Sequence, residues 1–177
     1  MAFSLYLFPS ESEATPTTSS DLRDHLSDID LVRKNGNLDI LPPGERLMEY
    51  INFLGCSPTL QSGQLECQVR IHVYNKVTAL GGESVESLRY PECRHIITDP
   101  QRLLHRAFSQ PNWVCSECGN SGNIKEINWR KSAGFSRLFI EISSIFPKEA
   151  LPNDKLLALL HQFNQTSWSW FYSKSSF

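Results

Sequence analysis

Apolar and polar side chains alternate most cleanly in QLECQVRIHVYN (64–75). Leu65, Cys67, Val69, Ile71 and Val73 fall on one side, and Glu66, Gln68, Arg70, His72 and Tyr74 on the other. That period of two predicts a half-buried strand with Cys67 in the core and His72 at the surface. SWSWFYS (167–173) alternates Trp168, Trp170 and Tyr172 against serines, which predicts a core strand or, at a sheet edge, an exposed docking strip. FSLYLF (3–8), KEINWRK (125–131) and RLFIEISSIF (137–146) also read as extended. A helical period appears in PPGERLMEYINFLG (42–55), where Leu47, Met48, Ile51 and Leu54 share a face and Gly55 is placed to end the helix. Three more helices follow from capping residues. Ser20 or Asp21 precedes Leu22 and Leu26; Asp99-Pro100 precedes Leu103, Leu104, Ala107 and Phe108; Asn153 or Asp154 opens NDKLLALLHQF (153–163). His25 and His161 fall in helical stretches and are expected to face solvent.

Turn residues divide these runs. Asn35-Gly36 predicts a type I′ hairpin, with one helix continuing to Lys34 as the competing reading. Gly81-Gly82 predicts a turn, and PSESEATPTTSS within 9–20 a flexible polar loop. Strands mixed with helices, without regular βα alternation, predict an α+β fold around a mostly antiparallel sheet. At 177 residues and 40% hydrophobic, with ten Phe and four Trp, the chain suits a single domain over 1–177.

Charge changes this picture by its placement. The net charge of −2 gives no general attraction to nucleic acid or membrane. Residues 89–137, however, carry 8 basic and 4 acidic side chains against 6 and 12 in residues 1–88. Arg94, Arg102, Arg106, Arg130 and Lys131 are therefore candidate partner-binding residues. With Trp113 and Trp129 interleaved, they also suit a nucleic-acid strand, unless the tryptophans pack beneath the segment. No apolar run reaches the roughly 20 residues of a membrane span, and no leader pattern opens the sequence. The expectation is a soluble, cytoplasmic protein without a membrane partner.

The basic segment also holds the candidate chemistry. Five cysteines, an odd number, include Cys115-Ser116-Glu117-Cys118-Gly119, a turn that brings two thiolates onto one ion. Tyr90-Pro91-Glu92-Cys93-Arg94 has the form of a second knuckle, with Tyr90 in its first cysteine place. Together the two stretches resemble a zinc ribbon over about 30 residues, placed in an insertion spanning 89–125. The resemblance implies a structural Zn2+ on Cys93, Cys115, Cys118 and a histidine, His95 or alternatively His105. The other reading is a ribbon without metal that keeps its turns, with reduced thiols or one Cys115–Cys118 link. Cys56 and Cys67 are remoter ligand candidates.

Nothing points to catalysis. There is no His-x-Glu of a zinc deaminase, no glycine-rich phosphate loop and no nucleophile elbow. Cys56 follows a predicted helix end, where the dipole disfavours a thiolate. The sequence therefore reads as a non-catalytic binding protein with another protein as partner. Nucleic-acid binding is second, and a zinc- or cysteine-dependent enzyme third.

Overall fold

A computed structural model describes residues 3–13, 18–34, 40–54, 60–61, 64–65, 67–83, 85, 87–145 and 148–174. In chain order the elements are β1 (Phe3–Pro9), α1 (Ser19–Asp28), α2 (Leu47–Tyr50), β2 (Ile51–Phe53), β3 (Leu60–Gln61), β4 (Gln64–Leu65) and β5 (Val69–Gly81). There follow α3 (Pro100–Arg106), β6 (Asn112–Val114), β7 (Ser121–Asn123) and a 3-10 turn over Ile124–Glu126. The chain continues with β8 (Ala133–Ile142), β9 (Ala150–Pro152), α4 (Asp154–Asn164) and β10 (Trp168–Lys174). The class is α+β, as the pattern predicts.

The main sheet has four strands in the order β10-β1-β8-β5, every pairing antiparallel. Alternation sorts each strand. Leu5, Leu7, Ile140, Ile142, Val69, Trp168 and Tyr172 join the core that Leu22 and Leu26 of α1 and Leu156 and Leu160 of α4 complete. Tyr6, Phe139 and Phe171 form a separate aromatic cluster. Capping fixes the helix starts: Thr18 accepts from the Asp21 N–H, Asp99 from Arg102 and Asn153 from Leu156. The first of these lies ahead of the Ser20/Asp21 expected from sequence. The polar loop is likewise narrower than 9–20, since Pro9 belongs to β1 and Ser19 to α1.

Four local expectations are corrected. The helix over 42–55 shrinks to α2, because Ile51–Phe53 pairs with Ala150–Pro152 and long-range pairing overrides the helical period. Met48 and Leu54 are consequently exposed. KEINWRK is not extended: an Asn123/Glu126 capping box turns the chain there, and Arg130 and Lys131 are both left-handed. Val73 is 42% exposed although it keeps its phase and pairs with Leu138: it is the last regular position before the β5–β8 register shifts, where the sheet's cover ends. Phe108 is exposed because α3 ends at Arg106, short of it.

The helix does not continue to Lys34; it stops at Asp28, and Val32 bridges Pro43 in antiparallel fashion. The Asn35-Gly36 turn itself lies outside the described residues, as do Gly55 and Cys56. Gly81 and Gly82 end β5 rather than form the expected turn: Gly81 pairs with Ala133 and the Gly82 N–H donates to the Ser132 carbonyl, at φ of 96° and 84°. Beyond the shift in β5, Val77 joins Leu88, Leu103, Leu104, Trp113, Ile124, Trp129 and Phe135 in a second core. This core underlies the cysteine-bearing segment.

Candidate metal centre

The two knuckles share one backbone design. In the first, the Arg94 N–H donates to the Tyr90 carbonyl at 3.2 Å and the Tyr90 N–H to the His95 carbonyl at 3.0 Å. In the second, Gly119 donates to Cys115 at 2.9 Å and Cys115 to Asn120 at 2.8 Å. Tyr90 thus corresponds to Cys115, Cys93 to Cys118, and His95 to Asn120. The residue after the second position is left-handed in both, Arg94 at φ 63° and Gly119 at φ 74°. The two turns are also tied directly, the Asn120 side-chain amide donating to the Glu92 carboxylate at 2.8 Å.

This pairing gathers the chemistry. The Cys93 and Cys115 sulfurs lie 3.5 Å apart, and His95 Nδ1 lies 3.9 Å from the Cys115 sulfur. With Cys118, all four ligand atoms lie within 4.8 Å of one another. Sulfurs about 2.3 Å from a tetrahedral zinc stand roughly 3.7 Å apart, so the spacing suits one ion. Cys115 is buried, Cys93 half-buried, and His95 and Cys118 exposed, so the group opens at the surface. His105 is exposed on α3 and is not in the cluster. Cys67 is 1% exposed and packs in the main core, as its strand phase predicts.

The thiols differ in their acidity. Burial raises the Cys115 pKa, but backbone N–H groups of Cys118 and Glu117, with hydrogen bonds from the Cys93 and Cys118 thiols, outweigh it and bring it down to about 7. At Cys118 the Asn120 N–H pulls down, while burial and the neighbouring Cys93 and Cys115 sulfurs push the thiol up to about 11. The turn thus holds one anionic sulfur readily and the second only with a further positive charge, the condition a divalent cation meets.

Tyr90, in the first cysteine place, packs its ring on Trp113 with centroids 4.9 Å apart. Its phenol pKa is raised by burial, with Arg106 acting in the opposite sense. Trp113 and Trp129 are 2% and 5% exposed and lie in the second core, so neither offers a face for stacking a base. Arg94, Arg102, Arg130 and Lys131 are exposed and Arg106 half-buried, its guanidinium donating to Gln110 at 3.3 Å. Beside the cluster, Tyr90, Asp99, Arg102, His105 and Arg106 line a cleft of about 570 Å³.

Sequence reasoning missed the Glu92–Asn120 tie and the structural use of Tyr90. The signal for both lay in aligning the two knuckles position by position. It also misjudged two histidines. His72 pairs with Glu141, and His25 is half-buried, its Nε2 3.1 Å from the Leu159 carbonyl and its ring stacked on Phe163. His161 is exposed, as expected. Among the described residues no helix is long and apolar enough to cross a membrane. Comparison with protein families, with curated proteins and with solved structures finds no match to this chain.

Proposed function

We propose that this chain is a small zinc-containing binding protein, non-catalytic, whose ribbon-like segment meets another protein. The observation that carries the reading is the convergence of Cys93, His95, Cys115 and Cys118. Three thiolates and an imidazole suit zinc over hard cations, and a site with four protein donors leaves no open position for a reacting water. The metal's role is then to lock the two turns to each other above the second core, and residues 89–125 form a ribbon-like insertion in a single domain. Reduced thiols at this site fit the cytoplasm.

The cleft beside α3 supports a protein partner. Arg102 and Arg106 stand there on a short helix, next to the knuckles, and can pair with acidic side chains. Nucleic-acid binding through the same basic segment is the second reading, favoured by its charge and disfavoured by its buried tryptophans.

Metal analysis of purified protein with a thiol titration tests the zinc assignment. We expect about one zinc per chain, and three thiols that react only after chelation. Metal-free protein that folds normally, with those thiols reactive throughout, overturns it. Capture of a protein partner whose binding survives moderate salt supports the first reading of the partner; binding to generic RNA that falls steeply with salt and is lost in Arg102→Glu/Arg106→Glu replaces it with the second.

A further inference from the structure

Away from the metal centre, the chain between the 3-10 turn and β8 makes a second site. Arg130 and Lys131 are successive non-glycine residues, both left-handed, at φ of 52° and 59°. Two such residues in a row are strained, and such backbone persists only where neighbours hold it. Here the hold is explicit. The Arg130 N–H donates to the Asn128 side chain at 3.0 Å, the Ser132 N–H to the Trp129 carbonyl at 3.0 Å, and the Tyr172 N–H of β10 to the Lys131 carbonyl at 2.9 Å.

The strained pair borders a cleft of about 400 Å³, within the roughly 300–1,000 Å³ usual for small-ligand sites. Among the described residues three cations line it, Lys125, Arg130 and Lys131, and no carboxylate does. Among the described residues none of the three makes an ion pair. The Lys131 ammonium lies 3.7 Å from the Trp170 ring centroid and donates to the Ser169 hydroxyl at 3.0 Å. Desolvation there lowers its pKa. Trp170 and Phe8 are half-buried and both line the cleft, Trp170 with the Lys131 ammonium over one face of its ring.

Cations alone would suit any anion. Cations without ion pairs beside half-buried aromatic residues, with serines among the lining, suit a phosphate joined to a planar ring. We propose that this cleft binds a nucleotide, its phosphate on Lys125, Arg130 and Lys131 and its base against Trp170 and Phe8. The nucleotide is either free or a unit of a single strand. The site is separate from the metal-bearing knuckles and does not depend on the function proposed for them.

Isothermal titration of the full chain with AMP, adenosine, inorganic phosphate and a short single-stranded oligonucleotide tests it. AMP or the oligonucleotide should bind saturably, with adenosine and phosphate each at least about tenfold weaker. The tighter of the first two identifies the source. The variant Arg130→Gly/Lys131→Gly relieves the left-handed strain, so it should keep its melting temperature while losing about tenfold in affinity. On the wild type, AMP or the oligonucleotide should shift the Trp170 indole N–H resonance, a readout that needs no variant. The proposal is overturned if neither nucleotide form binds at millimolar concentration, if phosphate alone binds as well as AMP, if the Trp170 resonance does not move, or if the folded variant binds like wild type.

Discussion

The imidazole Nε2 of His72 lies 2.8 Å from Oε2 of Glu141, a residue with no exposed surface on the central strand β8. The other carboxylate oxygen accepts from the Ser4 hydroxyl of β1 at 2.7 Å. One buried acid therefore joins three adjacent strands through side chains. Removing a partner of a buried polar group leaves its desolvation uncompensated, which costs about 1–3 kcal/mol. We expect His72→Ala to lower stability by that amount in urea denaturation. The pair His72→Ala/Glu141→Leu should cost less than the sum of its singles, because the orphaned carboxylate is gone. Strict additivity would show that the contact contributes nothing.

The cysteine-bearing knuckles make a sharper demand. Serine at Cys93, Cys115 or Cys118 should each abolish stoichiometric zinc in atomic absorption, and His95→Ala should weaken retention against a chelator. Cys67→Ala and His105→Ala should leave metal content unchanged. Loss of zinc in either control would mean the fourth ligand lies elsewhere. Tyr90→Cys should not raise the zinc count, since four donors already converge and Tyr90 is packed on Trp113.

Backbone handedness separates the two turns by their residues. Arg94 holds at φ 63° what Gly119 holds at φ 74°. A left-handed non-glycine residue costs roughly 1–2 kcal/mol. Arg94→Gly should therefore raise thermal stability by about 0.5–1 kcal/mol with zinc retained. Gly119→Ala should lower it by about 1 kcal/mol. No atom lies within 4 Å of the Cβ that alanine would add, so that loss is purely conformational.

Charge reversal tests the surface beside the metal centre. Arg102 is exposed and Arg106 half-buried, neither within the buried stripe of α3. Arg102→Glu/Arg106→Glu should change stability by less than about 0.5 kcal/mol and weaken capture of the protein partner. Unchanged capture would move the contact off this helix.

Burial pushes the Cys67 thiol from 9.0 up to about 11. At pH 8 it should stay unmodified by iodoacetamide in folded protein, while the knuckle thiols of chelated protein react. The folded state holds this proton more tightly than the unfolded state does. Its contribution is thus complete below pH 9 and lost as pH rises through about 11, on the order of 2 kcal/mol. In Cys67→Val that component of the alkaline titration of stability should vanish.

Much of this architecture was legible because it rests on local signals. Asp99, Asn153, Leu22 and Leu26, and the aromatic positions of β10, each state their environment within a few residues of chain. The cluster ligands were legible because knuckle spacing is local too. What escaped depends on partners distant in sequence. Ile51 reads as helical until Pro152 is set beside it, and Val73 reads as core until its place at the end of the regular β5–β8 pairing is known. His72 looks like a surface histidine because no local pattern announces Glu141. The left-handed Arg130 and Lys131 carry neither glycine nor asparagine to flag them.

The placement of β1 between β8 and β10 has a consequence for synthesis. Its pairings are with chain far downstream, as in the contact between the Tyr6 hydroxyl and the Lys174 carbonyl, 168 residues apart. As the ribosome works from one to the other, Phe3, Leu5, Leu7 and Phe8 leave the exit tunnel long before either neighbouring strand exists. Loop closure over such a span is slow, and an unpaired apolar strand is a template for association between nascent chains. A holding chaperone or slow translation at low temperature should therefore govern the soluble yield of this protein more than its final stability does.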